Sequence, residues 1–166
     1  MNIFAVDQDP HVAATCLVDR HVVKMILETA QMMCSVFPEG EAPYRRTHYN
    51  HPCGVWTRER IDNYEWLYRH GAALSQEFTF RFNNTHKSSA VIEWCWNNAT
   101  RSLFRSEGHM TPFAQAMPEE FKCADPIAAY RYYYRVAKAH LHQWTRRQPP
   151  SWINYHPAIR KRNPLR

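Results

Sequence analysis

The sequence predicts a compact all-α domain, a single helical bundle with an extended basic C-terminal tail. Three observations carry this. Apolar residues recur at helical spacing over long segments, and no stretch alternates apolar with polar as a half-buried strand would. The pair Asp-Pro, a capping side chain followed by a proline suited to the first helical position, occurs at Asp9-Pro10 and again at Asp125-Pro126. Hydrophobic residues make up 45% of the 166, enough for one domain with a real core. The expected organisation is a helical domain over 1–148 and a basic extension over 149–166, packed on it or trailing from it.

Element by element, Met1 to Val6 is short, apolar and expected to be extended. A helix then runs from Pro10 to about Phe37, where Pro38-Glu39-Gly40 stops it. Glu41 to Asn50 is loop. A second helical region, rich in aromatic residues, spans about Pro52 to Phe82, and Asn83-Asn84-Thr85 breaks it. A third covers about His86 to Thr100. Gly108 to Lys122 contains Pro112 and Pro118 and is loop with a short turn. The second Asp-Pro opens a fourth helix to about Thr145, and Pro149-Pro150 ends regular structure.

Composition bounds the function. There is no apolar run near 18 residues, so no membrane span is expected. The start of the chain lacks the basic-then-apolar pattern of a signal peptide. Cys16, Cys34, Cys53, Cys95 and Cys123 are odd in number and scattered, which fits reduced thiols in a cytoplasmic protein better than a disulfide framework. The net charge of +6 is uneven. Pro126 to Arg166 holds nine Lys and Arg and no acid, which leaves the first 125 residues at −3. Such asymmetry suggests a polyanion partner, or more simply a solvated tail.

The most telling stretch is Val18 to Glu28. On a helix turning about 100° per residue, Glu28 lies about 20° from His21, Lys24 about 60° and Gln31 about 80°, all on one side. Val18, Val22, Val23, Met25, Ile26, Leu27, Ala30, Met33 and Cys34 fill the rest. A helix this apolar is expected to be largely buried, with a carboxylate, an imidazole and an ammonium partly buried on one line, where each is costly unless paired or used. The plainer alternative is a Lys24–Glu28 pair at i,i+4, worth a few tenths of a kcal/mol, beside a core histidine.

Other clusters are weaker. His48, His51 and Cys53 sit within six residues, yet no second ligand pair lies nearby, and His86 and His109 are not linked to them by spacing. Neither metal nor cofactor is therefore expected, and His51 caps a helix or faces a groove. His86 and Lys87, at a helix start, suit a phosphate, or merely follow a capping Thr85. Tyr130, Tyr132, Tyr133 and Tyr134 interleave with Arg131 and Arg135 and are expected mostly in the core. Trp152 and Tyr155, followed by Arg160, Lys161 and Arg162, combine aromatic and basic character suited to DNA, as do Arg146 and Arg147.

The run Asp19-Arg20-His21 with Glu28 seven residues after the histidine resembles the first helix of the pyrimidine-dimer DNA glycosylase family, of the T4 endonuclease V type. That family carries Asp-Gln-His and then Glu at the same spacing. Pro150-Ser151-Trp152-Ile153-Asn154-Tyr155 is similar to its C-terminal Pro-Thr-Trp-Tyr-Lys-Tyr-Tyr segment. The layout is also similar to phage-encoded relatives, whose site of action would be the host cytoplasm.

The resemblance implies a DNA glycosylase, with or without AP-lyase activity, acting on a damaged or modified base. An amine attacks the sugar C1′ and expels the base, and the resulting imine allows β-elimination. Glu28 takes the role of stabilising the cationic sugar and moving protons, and His21 that of neighbouring the damaged strand. The amine is that of Met1, that of Asn2 after processing, or the Lys24 side chain; failing these, Glu28 activates water. Where the family has arginines one before and three after its glutamate, this chain has Leu27 and Gln31. Expected DNA contacts are Arg20, Gln31, His51, His86, Lys87, Arg146, Arg147, Trp152, Tyr155, Arg160, Lys161 and Arg162, in a monomer or weak oligomer. A base-modifying transferase and a DNA-binding module without chemistry are the competing readings.

Overall fold

A computed structural model describes residues 1–106 and 108–154. Six α-helices fold around one another: α1 (Pro10–Cys16), α2 (Asp19–Cys34), α3 (Pro52–Glu59), α4 (Ile61–Phe82), α5 (Ser89–Asn98) and α6 (Pro126–Ala137), with short 3₁₀ turns at Arg101–Leu103, Glu119–Phe121, Ala139–Leu141 and Ser151–Asn154. Among the described residues there is no strand, only an isolated bridge between Arg60 and Ser106. No described helix is long and apolar enough to cross a membrane.

Both capping expectations hold. Asp9 Oδ1 accepts the amides of His11 and Val12, and Asp125 Oδ1 accepts that of Ile127. The single helix expected from Pro10 to Phe37 is instead two. Leu17 and Val18 are extended, at ψ 145° and 155°. No proline or glycine marks this break, because its backbone groups are satisfied from far away. The Val18 amide donates to Tyr134 Oη, and Leu17 O accepts from Arg81 Nη1. The second region is likewise split, at Arg60, whose backbone is extended between α3 and α4. The third helix begins at Ser89 rather than His86, and the fourth ends at Ala137 rather than Thr145. Met1 to Val6 is not a regular extended segment: Phe4 sits at φ +43°.

The long α4 is the central element, packed against α1, α2, α3 and α5. Its Gly71 permits close approach to α2, since a Cβ there would lie 2.6 Å from Thr29 Cγ2. Asn83, left-handed at φ +51°, ends it by returning its amide to Thr79 O. Arg81, fully buried, joins α1, α2 and α4. It donates to Glu77, Asp19 and the carbonyls of Thr15 and Leu17. Asp19 also accepts the amide and hydroxyl of Thr145, which fixes the start of α2 against the chain after α6.

Candidate active site

The N-terminal segment is threaded into the core: Ile3, Phe4, Ala5 and Val6 are all buried. Asn2 winds it. Its Oδ1 accepts the amides of Ile3 and Phe4, and its Nδ2 donates to Ala116 O. This side-chain turn holds Phe4 in the left-handed region, which is strained for a residue with a Cβ and is the sort of outlier that gathers at functional sites. Arg131 of α6 clamps the far end of the segment by donating to Val6 O and to Asp7.

The result is that both backbone nitrogens at the start of the chain meet Glu28. The Asn2 amide donates to Oε2 at 2.8 Å, and the Met1 amine lies 3.8 Å from Oε1. The Met1 side chain is itself buried. Lys24 Nζ approaches the same Oε1 at 3.2 Å, but its side chain is 62% exposed. The carboxylate is thus held inside the body, as its place on the helix suggested, while the expected burial of Lys24 is not found. The reason is rotational: α2 turns His21 and Glu28 inward and leaves Arg20, Val23, Lys24 and Leu27 outward. Val23 and Leu27 therefore do not join the core, at 41% and 40% exposure.

His21 is buried, with Tyr134 edge-on to its ring. Phe4 stacks on its ring at 4.3 Å, and the Tyr133 ring lies nearly parallel to Phe4 at 6.4 Å. His21 Nδ1 lies 2.8 Å from Tyr134 Oη, which already accepts the Val18 amide. The phenol proton therefore goes to Nδ1, and this network assigns the remaining ring hydrogen to Nε2. Burial pushes the imidazole down to about 4, helped by Lys138, Lys24, Arg20 and His140 around it. At neutral pH it is an uncharged hydrogen-bond donor in a positive field.

These groups line an open cavity of about 260 Å³ shared by Met1, Asn2, Phe4, His21, Lys24 and Glu28, with Tyr133 and Lys138 completing the wall. Larger hollows exist elsewhere, one of about 520 Å³ beside Arg101 and Arg105. That one brings no carboxylate and amine together in the way the smaller cavity does. Chemically, the small cavity offers a carboxylate, an amine, a neutral imidazole and two lysines at one opening.

Of the other residues singled out from sequence, Arg20 is exposed near His21, and Gln31 is partly buried further along α2. His51 caps α3, its Nδ1 accepting the Cys53 amide; burial, then the chain's amine and His48, hold its imidazole below the usual range, and it does not line the cavity. Cys53, fully buried, has its thiol pushed up to about 12. His48 is tied to Thr47, and no group of three or more His, Cys, Asp or Glu among the described residues could hold a metal. His86 accepts the Ser88 amide in the turn before α5, next to exposed Lys87, and Thr85 does not cap that helix.

Arg146 donates to Phe80 O, and Arg147 grips both oxygens of Glu77 at 2.9 Å. Trp152 packs edge-on against Tyr134 with Arg131 over its ring. Tyr155, Arg160, Lys161 and Arg162 lie outside the described residues. Tyr130 and Tyr134 are core, as expected, while Tyr133 faces the cavity. Phe4, Ala116, Tyr133 and Lys138 reach the site only by tertiary closure. The one signal that could have found Lys138 is its lack of an acidic partner nearby in sequence.

A family model for pyrimidine dimer DNA glycosylases matches residues 1–90, the portion that includes Met1, Asn2, His21, Lys24 and Glu28. No curated protein and no solved structure matches the chain.

Proposed function

Because the chain belongs to the pyrimidine dimer DNA glycosylase family, we propose that it excises a dimerised pyrimidine from duplex DNA and then cleaves the strand as an AP lyase. The observation that carries this reading is the pairing of Glu28 with the chain's first two nitrogens inside an open cavity. With Met1 in place the Asn2 nitrogen is an amide, its lone pair committed to the peptide bond. The Met1 amine is then the nucleophile that faces Oε1.

The amine bonds to C1′ of the damaged nucleotide, and the N-glycosidic bond breaks with its electron pair leaving on the base. Glu28 takes the proton that the nitrogen sheds and returns it to the sugar ring oxygen as the ring opens to an imine. Loss of a C2′ proton expels the 3′ phosphate, and water hydrolyses the imine to restore the amine. Before the bond breaks, the buried carboxylate also opposes the positive charge growing on the sugar, worth more here than in water. His21 donates through Nε2–H to a sugar or phosphate oxygen. Lys24, Lys138 and Arg20 supply the positive rim for the backbone.

The test is a duplex carrying one pyrimidine dimer, incubated with the protein and sodium borohydride. The reading predicts a trapped covalent protein–DNA adduct and, without borohydride, strand cleavage at the dimer. Base release with no trapped adduct would replace the amine by water activated at Glu28. The absence of adduct, strand cleavage and base release alike would refute the reading.

A further inference from the structure

Lys138 closes α6 and lines the catalytic cavity from the part of the chain that the family model does not match. It is half-buried, and its Nζ stands 4.9 Å over the Tyr133 ring. A cation at a helix C-terminus and over an aromatic face is favoured by both, so the ammonium is held in place before any substrate arrives. No ion pair among the described residues engages it. After burial, it is the strongest influence keeping His21 uncharged, which puts it at the His21 end of the cavity. Lys24 is the opposite case: its Nζ lies 3.2 Å from Glu28 Oε1, so its charge is already opposed. The only other cation on α2 is Arg20, exposed near His21.

We propose that Lys138 binds the 3′ phosphate of the reacting nucleotide and stabilises its departure when the strand is cleaved. This rests on the glycosylase and lyase reading above, and concerns the step that follows base release. Glu28, free again once it has returned its proton to the ring oxygen, takes the C2′ proton. The C2′–H electron pair becomes the C2′–C3′ double bond, and the C3′–O pair leaves on the phosphate. That phosphate goes from a diester with one negative charge to a monoester with nearly two. An unopposed cation already in position gains more from the leaving phosphate than from the bound one, which is what accelerates a step. Lys24 is less suited, because a phosphate beside it also meets Glu28. The 5′ phosphate keeps its single charge throughout, so a cation there would hold the strand without speeding its cleavage.

The experiment compares wild type with Lys138→Met and Lys138→Arg on a duplex carrying a preformed aldehydic abasic site, in single turnover. Samples are quenched with sodium borohydride at successive times, and trapped adducts carrying an intact strand are separated by size from those carrying a cleaved one. Wild type should trap mostly cleaved strands. Lys138→Met should accumulate intact-strand adducts, its cleavage falling about ten- to hundred-fold relative to adduct formation, less than for a fully enclosed donor because the cavity is open. Lys138→Arg should bring cleavage back within a few-fold, and adduct formation in the same samples reports that each variant is folded. A second duplex has the abasic sugar at the 5′ end of its strand, so that only the 3′ phosphate remains, and the same loss should appear there. Equal loss of adduct formation and cleavage in Lys138→Met, or no loss, would overturn the proposal, as would a loss that vanishes without the 5′ phosphate. Excision is followed in parallel on a duplex bearing one pyrimidine dimer. A wild type that cleaves the abasic site with this Lys138 dependence but never excises the dimer would sustain the role of Lys138 and sink the substrate reading alone. A wild type that traps no adduct on either abasic duplex would sink the lyase reading, and this role with it.

Discussion

Removing one oxygen, in Tyr134→Phe, should separate how the catalytic helix starts from how its histidine is set. Tyr134 Oη accepts the buried Val18 amide at 2.9 Å and gives its proton to His21 Nδ1 at 2.8 Å. Phenylalanine keeps the ring and leaves both partners orphaned where water does not reach, since Val18 is fully buried and His21 is 6% exposed. A buried group left unsatisfied costs about 1–3 kcal/mol, so the two together cost roughly 2–6 kcal/mol. For a chain of this length each kcal/mol moves the melting temperature by about 2–4 °C, which predicts a drop of roughly 4–24 °C. Activity should fall further than stability explains. Without the phenol proton, the Nε2–H tautomer loses its preference, and one hydrogen bond of about 1.4 kcal/mol is about ten-fold in rate. Calorimetry and single-turnover kinetics at saturating DNA read the two effects separately. A double-mutant cycle with His21→Phe should be non-additive in rate. Melting within about 2 °C of wild type, or additivity in the cycle, would refute this account of the Val18–Tyr134–His21 relay.

Three further outcomes follow from the same packing. Arg81→Met strips Glu77, Asp19 and two carbonyls of a buried donor, and should cost about 3–5 kcal/mol in denaturant unfolding. Gly71→Ala would place a Cβ 2.6 Å from Thr29 Cγ2, next to Glu28, and should cost about 1–3 kcal/mol; adding Thr29→Ser, which removes that methyl, should recover much of it. Stability should also fall as pH drops. His21 and His70 are both pushed down to about 4 by burial, so between about 6.5 and 4 the unfolded chain binds their protons and the folded chain does not. Stability is therefore full above about pH 6.5 and declines below it, at roughly 2–3 kcal/mol per pH unit where both titrate. A flat melting temperature from pH 7 to 4.5 would contradict those two buried neutral imidazoles.

The helical class, both Asp-Pro starts and the inward line of His21 and Glu28 were legible because each rests on local chemistry: caps, prolines and a 3.6-residue period. The breaks at Leu17-Val18 and Arg60 were not. Nothing in those residues disfavours helix, and the Leu17-Val18 break exists because Arg81 and Tyr134, 64 and 116 residues away, satisfy its backbone. Periodicity also overstated the burial of α2. It marked Val23 and Leu27 as core because they are apolar, but only the packed neighbours decide which arc faces out. The site followed the same division. Its carboxylate and imidazole could be read from one helix, whereas the Asn2 turn, Tyr133 and Lys138 arrive from both ends of the chain. Arg147 was expected at DNA from its charge, yet its guanidinium is engaged by Glu77.

The most direct test of the account is the single-turnover excision rate of Glu28→Gln on a dimer-containing duplex. The amide is nearly isosteric and can still accept the Asn2 N–H, so fold and DNA affinity should hold. The rate should fall by about 10²–10⁴, the range for losing a proton-transferring, charge-stabilising carboxylate. A variant that excises within about three-fold of wild type would show that the carboxylate beside the chain's first amine is not where the chemistry happens.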